Sequence, residues 1–361
     1  MHNKEVFGFL GAVLLVAMPA TGARPVDPPA SHPRAPAALG LAVNMPDSAP
    51  VAERQKALEE VRAAGVSLFA LEVRWPAAEP RPRRYDVEAV ARTARVMRQS
   101  GAVLHLDLPL VNGRLRQVPS DLASVPFDDP RLSVRLGRLL DALGPALADF
   151  STLSLGNEAD SYFSDKPEEL RAYLALFRGA VEFLRKKAPR LLVGVATAAP
   201  MDSRFPAVAD LLHQKSPVLF YLYAPFRPDS PFTHRPPAVI ERDWDAVVKA
   251  AAGRPVAFTE VSYSSARENG SSPETQADFV RRMKKILDRT DPAQLLFARY
   301  VPWRDPPPPT VGLGTPPDPL IARRAAFLAN RGLQKSDGRP KPAWRELARR
   351  TRPVEPPAAL H

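Results

Sequence analysis

A (β/α)8 barrel is the fold class that the sequence predicts, and three observations carry it. Eight short β-rich runs alternate with longer amphipathic stretches, from Ala38 to Trp303. One face of several runs turns polar toward its C-terminal end, where barrels place their active sites. The chain of 361 residues has room for one such domain with loops and needs no second.

The predicted strands are Ala38–Asn44, Val66–Trp75, Val103–Leu108, Thr152–Glu158, Leu191–Thr197, Val218–Tyr223, Val256–Val261 and Leu295–Trp303. Helical patterns fall between them at Val51–Ala64, Val87–Ser100, Arg131–Leu147, Pro167–Lys187, Ile240–Ala252 and Pro273–Leu287. Polar residues and prolines open two of these, at Asp165-Lys166-Pro167 and Ser271-Ser272-Pro273. A doubly wound open sheet would alternate in the same way, but eight strands close a barrel. No repeat with a recognisable signature is present.

Alternate residues of a strand share a face. Leu104, Leu106 and Leu108 therefore oppose His105 and Asp107, while Leu153 and Leu155 oppose Ser154, Gly156 and Glu158. In the second strand Phe69, Leu71 and Val73 oppose Glu72 and Arg74. In the seventh, regular alternation puts Val256, Phe258 and Glu260 on one face, against Ala257 and Thr259.

Residues 1–23 have the layout of a secretory signal: Lys4, an apolar run from Val6 to Met18, and small residues at Ala20, Thr21, Gly22 and Ala23. An uncleaved anchor is the other reading of that segment. Residues 24–37 read as a Pro-rich linker, 38–350 as the barrel and 351–361 as a Pro-rich tail. The expectation is an exported protein, with no later segment suited to membrane insertion. The net charge of +11 comes mostly from scattered arginines without aromatic interleaving, which argues against nucleic acid. A basic groove for an acidic glycan is the minority alternative. With no cysteine, disulfides and thiolate metal sites are excluded.

Other chemistries lack their motifs. There is no Gly-x-Ser-x-Gly elbow, no phosphate-binding Walker loop and no His-Glu-x-x-His zinc site. Gly312-Leu313-Gly314 lacks the third glycine of a dinucleotide site, and Asn269-Gly270-Ser271 fits the glycosylation sequon.

Two glutamates stand out, each ending a strand: Glu158 in Leu155-Gly156-Asn157-Glu158, and Glu260 in Phe258-Thr259-Glu260-Val261. Two carboxyls flanking one glycosidic bond can protonate the leaving oxygen and stabilise the oxocarbenium-like centre. On these residues the sequence resembles the clan A glycoside hydrolases, the retaining barrel enzymes that include cellulases, mannanases and galactanases. The likeness runs from about Leu39 to Trp344, including the Asp337-Gly338-Arg339-Pro340 turn. It implies Glu158 as acid/base, Glu260 as nucleophile and Asn157 as a contact for the sugar 2-hydroxyl.

The resemblance further implies that Arg74 buttresses the nucleophile, that Tyr221 or Tyr223 contacts it, and that Trp303 floors a sugar subsite. It implies a carbohydrate substrate and no metal or organic cofactor. His105 and Asp107 are weaker candidates for substrate contact; an interior histidine and a loop anchor are their alternatives. Arg74 could equally neutralise Glu72. Trp75 and Trp244 read as packing, and the Pro-rich loops Pro225–Pro237 and Pro302–Pro319 as walls of the cleft. A barrel that binds glycan or protein without catalysis is the rival reading.

Overall fold

The computed structural model describes residues 37–45, 49–307 and 318–349. The signal, most of the linker, the tail and Gly312-Leu313-Gly314 lie outside the described residues. Eight parallel strands form the barrel: β1 (Ala38–Leu41), β2 (Leu68–Glu72), β3 (Val103–Asp107), β4 (Thr152–Ser154), β5 in two segments (Leu192–Gly194 and Ala196–Ala198), β6 (Leu219–Tyr223), β7 (Val256–Val261) and β8 (Leu295–Tyr300). The ladder runs from the first segment of β5 through β4, β3, β2, β1, β8, β7 and β6 to the second segment of β5. Strand five thus pairs with β4 by its first half and with β6 by its second, and closes the barrel.

The helices form because their apolar residues recur on one stripe and their ends are capped. Pro130–Leu143 buries Leu132, Leu136, Leu139, Leu140 and Leu143, and Asp129 accepts the Arg131 amide at 2.8 Å at its start. Pro273–Arg289 begins at Ser272, whose hydroxyl accepts the Thr275 amide at 3.1 Å, and buries Phe279, Val280, Met283 and Ile286. Trp244, fully buried, stacks on Phe258 at 4.0 Å between the helix Val239–Ala250 and β7. Trp75, also fully buried, donates to Glu79 at 2.8 Å, so both tryptophans pack as expected.

Two apolar layers result. Phe69, Leu71, Leu104, Leu106, Leu153, Leu155, Tyr221 and Phe258 belong to the large core beneath the helices. Ala38, Leu68, Ala196, Val218, Phe220, Ala257 and Phe297, drawn from six of the strands or their ends, plug the lumen. Asn269 of the sequon is fully buried and donates to the carbonyls of Phe232 and Arg323 at 2.7 and 2.8 Å, so it ties loops together and offers no acceptor for a glycan.

Candidate active site

The lumen becomes polar above the apolar plug. His105 is fully buried, with its ring 5.3 Å from those of Phe220 and Phe297. Its two nitrogens meet Thr152 at 2.7 Å and Asp107 at 2.8 Å. The Arg299 guanidinium reaches Asp107 at 3.1 Å and donates to the Thr259 carbonyl at 2.8 Å. Burial pushes the Asp107 carboxyl up, but His105 and Arg299 outweigh it and hold the group well below the usual carboxylate range. Beside it Glu72 is paired with Arg74 at 2.7 Å, and burial raises its carboxyl against the pull of that arginine. His105 and Asp107 therefore have structural partners inside the barrel. For His105, with no exposed surface, direct substrate contact is corrected to an interior strut.

Glu260 reaches the lumen by a different route from the one regular alternation predicts. Along β7, Phe258 pairs with Tyr221 but Glu260 pairs with Leu222, so the register shifts between them. Thr259 is the extra residue of a β-bulge, and the bulge reverses the face of the residues after it. Phe258 stays with the helices, whereas Glu260 stands beside Leu222, which packs against the lumenal cluster. The expected shared face of Val256, Phe258 and Glu260 is corrected accordingly.

The same parity moves the two tyrosines out of the site. Tyr221 and Tyr223 lie on the helix side of β6, opposite Phe220 and Leu222. Tyr223 is 2 % exposed and donates to Asp243 at 3.0 Å, and Tyr221 packs edge-on against His213 at 5.0 Å. Neither is placed to contact Glu260. Trp303 is likewise corrected. It has no exposed surface, with the Arg304 guanidinium 4.1 Å from its ring and Trp344 at 6.0 Å, so no face is left for a sugar.

Asn157 and Glu158 follow β4 and are clamped by a hairpin, Val111–Asn112 with Leu115–Arg116. The Asn157 amide donates to the Val111 carbonyl at 2.9 Å, and its own carbonyl accepts from Gly113 at 3.0 Å. Its side-chain nitrogen donates to Asn112 and to Glu260, both at 3.2 Å. Asn157 is thus the direct link between the two strand ends. Asn112, which sequence reasoning missed, orients that amide.

Glu158 sits at φ 46° and ψ 39°, the left-handed region, at the start of the short helix Ala159–Asp165. That conformation costs a non-glycine residue about 1–2 kcal/mol and is maintained by the clamp around it. Glu158→Gly is accordingly expected to be more stable than Glu158→Ala by about 1 kcal/mol in chemical denaturation. Equal stabilities would mean that the backbone is not strained.

Glu158 is exposed to solvent by its accessible surface, although protein atoms surround its carboxyl closely enough to desolvate it in part. Burial, then the charge of Glu260, then that of Asp160, push its carboxyl up to about 7, against Arg331 and Arg324. Asp160 is itself occupied, accepting from the Ala198 amide and the Ser203 hydroxyl at 3.3 Å each. Arg331, at the end of the helix Pro319–Asn330, carries no sequence signal because it lies far from any strand-ending motif. A carboxyl titrating near neutrality beside a second carboxylate is suited to proton delivery. Among the described residues, no group of three or more His, Asp or Glu could hold a metal ion. A separate cavity of about 490 Å³, lined by Arg185, Leu192, Lys215, Ser216 and Arg254, opens near the N-terminal ends of β5, β6 and β7, away from the glutamates.

No family model matches the sequence, and no curated protein is significantly similar to it. Solved structures are similar in fold. A GH5_18 protein from Streptomyces cattleya in complex with GlcNAc superposes with a TM-score of 0.63 at 18% identity, over 88% of this chain and 80% of that one. The exo-β-1,4-mannosidase Op5Man5 from Opitutaceae bacterium strain TAV5 gives 0.62 at 18% identity, over 86% and 58%. A GH5_18 protein from Bifidobacterium longum subsp. infantis gives 0.59 at 17% identity, over 87% and 78%. The chain therefore has the (β/α)8 barrel fold of these clan A glycoside hydrolases.

Proposed function

We propose that the protein is an exported, retaining glycoside hydrolase acting on a β-linked glycan through Glu158 and Glu260. One observation carries the reading: the bulge in β7 turns Glu260 into the barrel mouth, where Asn157 bonds it at 3.2 Å beside a Glu158 pushed up to about 7. A retaining pair needs carboxyls about 5–5.5 Å apart, and the residue next to Glu158 touches Glu260 directly.

In the first step Glu260 attacks the anomeric carbon while Glu158 gives its proton to the departing oxygen. The negative charge of Glu260 is consumed in the ester, and with it one of the causes that raise Glu158. Glu158, left ionised by the first step, is then stable as the carboxylate and takes a proton from the water that opens the ester. The protonated acid is the active form for the first step, so kcat/KM is expected to fall as pH rises through about 7. An invariant rate between pH 6 and 9 would detach Glu158 from proton transfer.

Structural neighbours supply the first substrate to try. A variant of the Streptomyces cattleya GH5_18 protein was solved with Manβ1-4GlcNAc, and Op5Man5 is an exo-β-1,4-mannosidase. Hydrolysis of 4-nitrophenyl β-D-mannopyranoside and of β-1,4-manno-oligosaccharides, followed by proton NMR of the first-formed anomer, tests both activity and stereochemistry. A first product of inverted configuration would end the two-step mechanism. Glycan binding without turnover across β-linked substrates would favour the non-catalytic barrel.

A further inference from the structure

The hairpin that follows β3 is fastened along its length to the chain around Glu158. At its base the Leu110 amide donates to the Leu155 carbonyl at 3.0 Å, and the Gln117 amide donates to the Leu110 carbonyl at 2.8 Å. Val111 and Gly113 then hold the Asn157 backbone from both sides, at 2.9 and 3.0 Å. In the second strand Arg116 pairs with Glu169 at 3.3 Å, its guanidinium 3.9 Å from the Phe127 ring. Glu169 also accepts from the Tyr162 hydroxyl at 3.1 Å, so this strand is tied to the two helices that follow Glu158.

Two neighbouring residues of the hairpin come up against the two carboxyls. The Asn157 side-chain nitrogen gives one hydrogen to Asn112 and the other to Glu260, each at 3.2 Å. A primary amide has two hydrogens to give, so these two acceptors take both. Gly113 has φ +56°, and a Cβ there would lie 3.3 Å from Glu158 Oε2. The backbone of the turn therefore lies against the Glu158 carboxyl, where any side chain would crowd it.

We propose that this hairpin is the positioning element for the reacting pair: Asn112 commits the Asn157 amide to Glu260, and Gly113 holds the turn against Glu158. Asn112 acts through Asn157. With its oxygen in place, one orientation of the amide gives both acceptors a hydrogen. Without that oxygen the second hold is lost, and a half-turn about the Cβ–Cγ bond would set oxygen against oxygen at Glu260. An amide hydrogen on a carboxylate favours the ionised form, which is the form that a nucleophile needs. Because Asn112 and Gly113 are adjacent in the chain, one backbone segment sets both contacts.

The inference rests on Glu158 and Glu260 being the reacting pair, but its first readout needs no turnover. In protein labelled with nitrogen-15 asparagine, the Asn157 side-chain signals are assigned by their loss in Asn157→Ser. One of its two proton shifts should respond when Glu260 takes up a proton, and that response should vanish in Glu260→Gln. Asn112→Ala is expected to shrink the response, whereas Asn112→Asp, which keeps an oxygen at that place, should preserve it. With 4-nitrophenyl β-D-mannopyranoside, Asn112→Ala should lower kcat about 10-fold and leave KM within about twofold, since a 1 Å misplacement costs up to about 100-fold. Gly113→Ala should raise the Glu158 carboxyl above about 7, because a methyl group beside Oε2 disfavours its charge. Gly101→Ala is the control for backbone strain: Gly101 has φ +83° and a Cβ there meets nothing within 4 Å, so stability should fall while Glu158 titrates as before. An Asn157 response unchanged in Asn112→Ala, or a Glu158 midpoint that moves as far in Gly101→Ala as in Gly113→Ala, would overturn the proposal. If Asn112→Ala does not fold, the wild type still decides: both Asn157 side-chain hydrogens should be protected from exchange with water, and an unprotected pair counts against the proposal. The expected responses in a protein that hydrolyses no glycoside would leave the positioning role standing and remove only the catalytic reading.

Discussion

Glu260→Ala is expected to lower hydrolysis of 4-nitrophenyl β-D-mannopyranoside on the order of 10⁴-fold, with substrate binding largely kept. Loss of a nucleophile removes the covalent step itself, whereas loss of an acid slows steps that a good leaving group can partly spare. Glu158→Ala should therefore show a graded defect. It should be severe with an oligosaccharide and milder with a 2,4-dinitrophenyl glycoside, where an ester on Glu260 should accumulate. Azide separates the roles further. It should attack that ester in Glu158→Ala and give a β-glycosyl azide; in Glu260→Ala it should replace the carboxylate and give the α anomer. Turnover that survives both substitutions would remove these residues from the mechanism.

The second large effect is on stability. A Cβ at Gly332 would lie 2.2 Å from the Asp305 nitrogen and 2.4 Å from the Arg304 carbonyl carbon, contacts that no side-chain rotation relieves. Neither backbone segment can withdraw cheaply. The Gly332 amide bonds Asp305 at 2.8 Å, the Asp305 amide bonds Gln334 at 2.9 Å, and the next two amides both bond the Trp303 carbonyl. Gly332→Ala is expected to cost about 3 kcal/mol, a drop of roughly 4–6 °C in Tm for a domain of this size. Gly137→Ala is the control. Its added carbon meets only Phe183 at 3.9 Å within the helix Pro130–Leu143, so it should be neutral or stabilising by up to about 1 kcal/mol. Differential scanning fluorimetry of both variants checks the pair, and equal melting temperatures would refute the clash.

The barrel was legible because its signals are local and repeated. Apolar spacing located Pro167–Lys187 and Val256–Val261 to the residue, and the capping serine at Ser272 does what its position suggested. Strand-ending carboxylates were legible for the same reason, since Glu158 and Glu260 each close an apolar run. What failed depended on three dimensions. A bulge has no local signature when Thr259 is as good a strand former as its neighbours, so alternation assigned Glu260 to the wrong face. Tyr221 and Tyr223 look like site residues by type, yet Phe220 settles their orientation by filling the lumen. Trp303 is buried by Trp344, which is distant in sequence. Asn112 is invisible for the corresponding reason, because its partner Asn157 follows another strand.

The bulge also leaves the Thr259 carbonyl to Arg299, whose other end grips Asp107. This bridge ties β3, β7 and β8 across the lumen, and its carboxylate stays ionised far below the pH at which Glu158 takes up a proton. Acidification therefore divides the barrel by depth. The mouth changes protonation while the bracing under it does not, so an acidic medium would alter which form of Glu158 is present without releasing the scaffold that aims Glu260.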